Sequence, residues 1–240
     1  MKIIVIIGAL LMSTLGFTQN EDITFTQTAN SLNGANRSFV TQSNSGTYSG
    51  QSFQAAKPIE GSRFLYDKWN QTGTLETNGG DFLNIVNLNF DMERGTFVFR
   101  EEEKIFDVNQ FVVKNITVNG NVFKRTIEPK SGISRLMQVM YETDDYAVLK
   151  DNKVDVKRGR PDAYSGQEAD SYKDKTKYYK VAGNNFEELK LNKKGFEELF
   201  GTYEESMEDF IKINNLSYRD SKHFDLIFNK LEALRQLSNL

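Results

Sequence analysis

From Val86 to Met92 the apolar residues Val86, Leu88, Phe90 and Met92 alternate with Asn87, Asn89 and Asp91, the period of a β-strand with one wet face. Glu93-Arg94-Gly95 breaks the run, and Phe97 and Phe99 resume it. Asn119-Gly120, between Ile116 and Val118 on one side and Val122 on the other, is a two-residue hairpin signal. The stretch from Phe82 to Ile127 therefore reads as an antiparallel meander. Upstream, Thr72 to Thr77 reads as a short strand ending at the turn Asn78-Gly79-Gly80, after an aromatic cluster of Phe64, Tyr66 and Trp69. Glu101-Glu102-Glu103 reads as a solvated acidic tip, because adjacent strand residues point to opposite faces.

Beyond Ile127 the pattern is less decisive. Arg135 to Tyr141 suits either helix or strand, and Tyr146 to Leu149 follows Asp144-Asp145 like a strand after a turn. Lys153 to Lys175, with Lys157-Arg158-Gly159-Arg160-Pro161, reads as a long exposed connection rather than a nucleic-acid patch. Tyr178 to Val181 and Phe186 to Leu191 predict a final hairpin around Gly183-Asn184.

The period changes after Asn192. Phe196, Leu199 and Phe200 fit one short helix, and Thr202 with Glu205 forms a capping-box pattern ahead of Met207, Phe210 and Ile211. Ser217 with Asp220 suggests another helix start, followed by the apolar stripe Phe224, Ile227, Leu231 and Leu234, supplemented by Phe228. These helices need a surface to cover, and the sheet is the simplest one. The expected fold class is α+β: an antiparallel β-rich domain over residues 55–191, as a meander, barrel or sandwich, with a C-terminal segment of short helices over 192–240.

The first residues carry a different signal. Met1-Lys2 places a positive charge before the apolar run Ile3 to Leu15, followed by Gly16, Phe17, Thr18 and Gln19. This is the pattern of a secretory signal peptide over 1–18, with cleavage between Thr18 and Gln19, or alternatively after Gly16. The run is shorter than the roughly 20 apolar residues of a membrane-spanning helix, which disfavours a retained anchor. Residues 19–54, rich in Asn, Ser, Thr, Gln and Gly, read as a flexible polar leader, with short edge strands near Ile23 to Phe25 or Ser38 to Val40 as the alternative.

Composition narrows the options. The 240 residues, 38% hydrophobic and 26% charged, suffice for one good core. The absence of cysteine excludes disulfides and a cysteine-acylated lipid anchor, so packing alone must stabilise an exported chain. Loss of Lys2 with the signal peptide moves the formal charge from −3 to −4, which is ill suited to nucleic-acid binding.

The segment Gly61-Ser62-Arg63-Phe64-Leu65-Tyr66-Asp67-Lys68-Trp69 resembles the Gly-Ser-Pro-Tyr-Leu opening of a family of uncharacterised exported proteins from Bacteroidetes bacteria. The resemblance continues through Val86 to Met92, Asn121-Val122-Phe123, Met137 to Leu149 and Tyr178-Tyr179, covering roughly residues 58–235. Arg63 stands where that family favours proline. The resemblance implies export and a β-rich fold, and carries no established activity.

Candidate chemistry is sparse. His223 is the single histidine, and with no cysteine, no Gly-x-Ser-x-Gly elbow and no Ser-x-x-Lys motif, a nucleophilic triad or a His/Cys zinc site has no basis. His223 therefore reads as a surface or packing residue. No calcium-loop or phosphate-loop motif occurs, so no cofactor, metal ligand or catalytic residue is assigned. Glu187-Glu188, Glu197-Glu198 and Glu204-Glu205 read as solvated faces, although two distant carboxylates could meet across a cleft as in glycosidases. Phe64, Tyr66 and Trp69 read as core, or as a stacking platform if exposed. The expectation is an exported, non-enzymatic binding protein of the cell envelope, engaging an envelope protein or glycan. The alternative is a carboxylate-dependent hydrolase acting on envelope polysaccharide.

Overall fold

The structure, a computed structural model, describes Thr24–Phe25, Val40–Gln42 and residues 59–238 apart from 130, 160, 163–165 and 168. The expected signal peptide with its Thr18/Gln19 cleavage point, and most of the expected polar leader, lie outside the described residues.

In chain order the strands are β1 (Thr24–Phe25), β2 (Val40–Gln42), β3 (Gln71–Thr77), β4 (Phe82–Asp91), β5 (Thr96–Glu101), β6 (Lys104–Val108), β7 (Val113–Val118) and β8 (Asn121–Ile127). They continue as β9 (Ser134–Glu142), β10 (Ala147–Asp151), β11 (Val154–Lys157), β12 (Pro161–Asp162), β13 (Gly166–Gln167), β14 (Ser171–Asp174), β15 (Lys177–Ala182) and β16 (Asn185–Glu188). Three helices follow: α1 (Lys193–Phe200), α2 (Glu204–Ile213) and α3 (Phe224–Ser238). The fold is α+β, with a large antiparallel sheet and a helical C-terminal segment.

The main sheet runs β16-β15-β10-β9-β8-β7-β3-β4-β5-β6-β2, with β1 added in parallel beside β4. The expected meander is split, because β7 pairs with β3 instead of β6. Two antiparallel series thus grow outward from β3, one through β4 to β6 and one through β7 to β10. Thr24–Phe25 and Val40–Gln42 realise the edge-strand alternative: β1 lies along the half of β4 that β5 does not reach, and β2 pairs with β6.

β4 carries the main change of direction. Gln71 pairs with Leu88 but Gly73 with Ile85, so one residue of β3 faces two of β4, and Asn87 takes φ 54°. A bulge of this kind bends its strand. It requires Gly73, because a β-carbon there would stand 2.4 Å from Leu88 Cδ2 and 3.0 Å from Val118 Cγ2. Past the bend both faces of β4 are buried. Leu88 and Phe90 join Leu75, Phe97, Ile116 and Phe123 in one apolar cluster, with the Phe90 and Phe97 rings edge-to-face at 5.0 Å.

Asn89 and Asp91, whose alternation reads as a wet face, are fully buried. The segment before β3 covers them: Leu65 N–H donates to Phe90 O at 3.0 Å and Met92 N–H to Arg63 O at 2.8 Å. Asn89 accepts from Tyr66 N–H at 3.0 Å and donates to Tyr66 O at 2.8 Å, a side chain acting as one more rung of strand pairing. The Gly61 to Trp69 motif is therefore a strap across β4.

A second apolar cluster joins Tyr141, Tyr146, Val148 and Tyr178 of the sheet side to Phe196, Leu199, Phe200, Met207, Phe224, Ile227, Phe228 and Leu231. The α3 stripe is buried as its spacing predicts. Two helix starts differ from expectation. Thr202 lies in a 3₁₀ turn, Gly201–Tyr203, and α2 begins at Glu204 without a side-chain cap, so the Thr202/Glu205 capping box does not form. Asp220, not Ser217, caps the turn Ser221–His223 by accepting from Lys222 N–H. The stretch 153–175 is also more ordered than an exposed connection, because Val154 to Lys157 pairs with Ser171 to Asp174. Its alternating Val154 and Val156 are obscured in the sequence by flanking charges.

Candidate functional site

A cavity of about 540 Å³ opens where the β9–β10 turn meets the helices. The turn supplies Glu142, Thr143, Asp144 and Asp145, and the helical side supplies Tyr203, Glu232, Arg235 and Gln236. That volume falls within the roughly 300–1,000 Å³ usual for ligand sites, but a polar lining selects a hydrophilic ligand.

Local hydrogen bonds hold both walls. Thr143 Oγ1 accepts from Asp145 N–H at 3.3 Å and Tyr146 N–H at 3.1 Å, which fixes the tight turn and projects Asp144 and Asp145 outward. On the helical wall, Tyr141 Oη donates to Glu232 Oε2 at 3.0 Å and Gln236 Nε2 donates to Glu232 Oε1 at 3.0 Å. Burial, followed by this bond to Glu232, pushes the Tyr141 phenol well above its ordinary range, so it stays a donor. The Arg235 guanidinium lies over the Tyr146 ring at 5.2 Å, and Tyr146 Oη donates to Leu199 O at 2.9 Å. Lys124 Nζ contacts both oxygens of Glu142, Oε1 at 2.6 Å. Among the described residues, no hydrogen bond or ion pair engages the carboxylates of Asp144 and Asp145. Two carboxylates thus face the cavity uncommitted, on a wall that is already set.

Comparison of the chain with protein-family models, with curated proteins and with solved structures finds no match.

A smaller cavity of about 180 Å³ lies between the β4–β5 turn and the start of β9, against Arg94, Ser134, Arg135, Asp151 and Lys153. Its arginines are committed: Arg135 pairs with Asp151 at 2.7 Å, and Arg94 with Asp107 at 2.5 Å. Asp91 lies near this turn but does not line the cavity. It accepts from Glu93 and Arg94 N–H and faces Arg63 Nε at 3.4 Å. Arg63 therefore supplies charge to a buried acid.

Desolvation still outweighs Arg63 and Arg94, and holds the Asp91 carboxyl above its usual range. A carboxyl whose folded pKa exceeds its unfolded value contributes stability that is present in acid and lost as pH rises through the folded pKa. The melting temperature of the wild type relative to Asp91→Asn is expected to rise as pH falls from neutral through the carboxylate range. A difference moving the other way in a thermal-melt series would mean that the two arginines dominate.

The remaining sequence candidates resolve as structural. His223 Nδ1 accepts from Ser217 N–H at 2.8 Å and so closes the turn into α3. Glu197, Glu204 and Glu208 bring carboxylate oxygens within 4.8 Å of one another, but Lys193 Nζ sits 3.5 Å from Glu197 and touches Glu208. The lysine thus supplies the cation that such a group would attract. Glu187 and Glu188 stay on the exposed strand β16.

Phe64, Tyr66 and Trp69 are half-buried rather than core. Phe64 and Trp69 meet edge-on at 4.8 Å, while Arg63 stacks on Phe64 and Arg100 on Trp69, so the platform already carries two arginines. No described helix is long and apolar enough to cross a membrane. The groove had one legible trace in the sequence, Asp144-Asp145. Glu232 and Arg235 belong to a different element about ninety residues away, and no local pattern joins the two.

Proposed function

We propose that the chain is an exported, non-enzymatic binding protein of the bacterial envelope, whose groove between the β9–β10 turn and α3 takes a cationic peptide segment of an envelope partner. The observation that carries this reading is the pair of uncommitted carboxylates, Asp144 and Asp145, on a preset polar wall. A cation is attracted there without reorganisation of the site. The apolar run from Ile3 to Leu15 behind Lys2 supports export, as does the resemblance to exported Bacteroidetes proteins.

Converging carboxylates in a cavity also suit a glycan hydrolase, which needs one acid to donate a proton and a second carboxylate to act as base or nucleophile. Both oxygens of Glu142 and both of Glu232 are already engaged, by Lys124 and by Tyr141 with Gln236. That commitment favours binding.

The test is fluorescence anisotropy with a labelled oligolysine peptide at low ionic strength. Asp144→Asn with Asp145→Asn is expected to weaken binding roughly tenfold or more, with the effect shrinking as salt screens the charges. Both residues are exposed, so melting should not change. Equal affinity in the variant would remove the groove as the site. Shortening of an envelope glycan by the wild-type chain would put the hydrolase reading first.

A further inference from the structure

Arg235 lines the same cavity as Asp144 and Asp145, from the helical wall. Among the described residues no carboxylate forms an ion pair with it, and its Nε is buried without an acceptor. The acids nearest to hand are already taken. Both oxygens of Glu232, one turn back on α3, are engaged by Tyr141 and Gln236, and Glu142 on the facing turn is held by Lys124. The ring under Arg235 brings a second cation instead of an anion, since Lys180 Nζ lies 5.3 Å from the centre of Tyr146.

The backbone that carries Arg235 is pinned. Ser238 Oγ donates to Arg235 O at 2.9 Å and bonds Tyr203 Oη, which ties the last turn of α3 to the 3₁₀ turn Gly201–Tyr203. Arg235 and Asp145 act in opposite senses on the Tyr146 phenol, so the two walls bring their charges to one ring. One wall thus supplies a guanidinium lacking an anion, and the other supplies two carboxylates lacking a cation. A ligand that is only cationic answers half of this set and is repelled by Arg235.

We infer that the cationic segment enters the groove by its carboxyl end, with its terminal carboxylate on Arg235 and the side-chain ammonium of a terminal lysine on Asp144 or Asp145. This rests on the reading of the groove as a site for a cationic peptide, and adds which part of the peptide it takes. A guanidinium donates to a carboxylate through paired N–H groups, a planar fit that an ammonium lacks. A terminal lysine carries carboxylate and ammonium on one residue, whereas a lysine-rich segment passing through the groove brings the cation alone. Capture of a chain end through its carboxylate is an established mode of peptide recognition.

The experiment compares two oligolysine peptides of equal length, each labelled at its amino end, one a free acid and the other a carboxyl-terminal amide. Binding to the full-length chain is read by fluorescence anisotropy at low ionic strength. The amide has one more net positive charge, so simple attraction to an acidic groove favours it. The opposite order is expected, with the free acid bound roughly fivefold or more tightly. Arg235→Gln should abolish that preference by weakening the free acid, and should leave the amide bound at least as well as before. The wild-type comparison needs no variant, so a lower melting temperature in Arg235→Gln does not blunt it. Equal binding of the two peptides, or tighter binding of the amide, overturns the inference; if Asp144→Asn with Asp145→Asn then weakens both, the groove still stands as a cation site. A preference for the free acid that survives Arg235→Gln overturns it as well. Binding of neither peptide to the wild type removes the peptide-site reading and the inference with it.

Discussion

Phe90→Asp is expected to abolish the cooperative unfolding transition. Phe90 is fully buried beyond the bend in β4, with ring neighbours Phe97 at 5.0 Å and Phe123 at 5.6 Å. Losing a buried phenylalanine costs about 3–5 kcal/mol, and a carboxylate with no partner in that cluster adds several more. The sum is comparable to the roughly 5–15 kcal/mol that holds a domain together. Circular dichroism and thermal melting check it. A wild-type melt would mean that Phe90 does not face the cluster and does not stand opposite Phe97 in the β4–β5 pairing.

Deleting residues 213–240 is the second change with a large expected effect. It removes Phe224, Ile227, Phe228 and Leu231, all nearly inaccessible, at about 1.5–3 kcal/mol for each apolar side chain buried. Tyr141 loses the Phe228 ring stacked on it at 5.0 Å, and Tyr178 loses Phe224 at 5.3 Å. Phe196, which contacts Tyr218, Phe224 and Phe228, is left facing water. The truncated chain is expected to associate or lose its sharp melt in size-exclusion and calorimetric measurements. A monodisperse product melting like the wild type would make the helical segment an appendage to a self-sufficient sheet.

Turns and amphipathic stripes were legible because their signals are local. Glu93-Arg94-Gly95, Asn119-Gly120 and Gly183-Asn184 each mark a real turn, and residues with positive φ stand at Gly95, Asn119, Gly120 and Gly183. The α3 stripe was legible for the same reason, since one face of one helix needs only its own spacing. Helix caps were read less well. Thr202 and Ser217 have the right chemistry, but the 3₁₀ turns ahead of α2 and α3 shift where each helix begins.

The candidate site was legible only in part. Asp144-Asp145 suggested a turn between strands and nothing more. Its opposite wall, Glu232 and Arg235, arrives through the packing of α3 on Tyr141 and Tyr146. The polar positions of β4 misled for a related reason. Alternation reports one wet face only while a strand stays on one side of one sheet, and the bulge opposite Gly73 bends β4 beneath the Ser62 to Tyr66 strap.

By itself the sequence determined the class of the protein: antiparallel strands with their turns, a helical end with a buried stripe, and too little histidine and cysteine for familiar nucleophilic or zinc chemistry. Those properties follow from side-chain periodicity and composition, which act over a few residues. Only the tertiary structure decided that β7 returns to β3, that Asn89 and Asp91 are buried, and that Glu232 and Arg235 of α3 meet the β9–β10 turn. Each depends on which distant segments meet, and that is settled by how the whole chain buries its apolar surface while pairing its backbone polar groups.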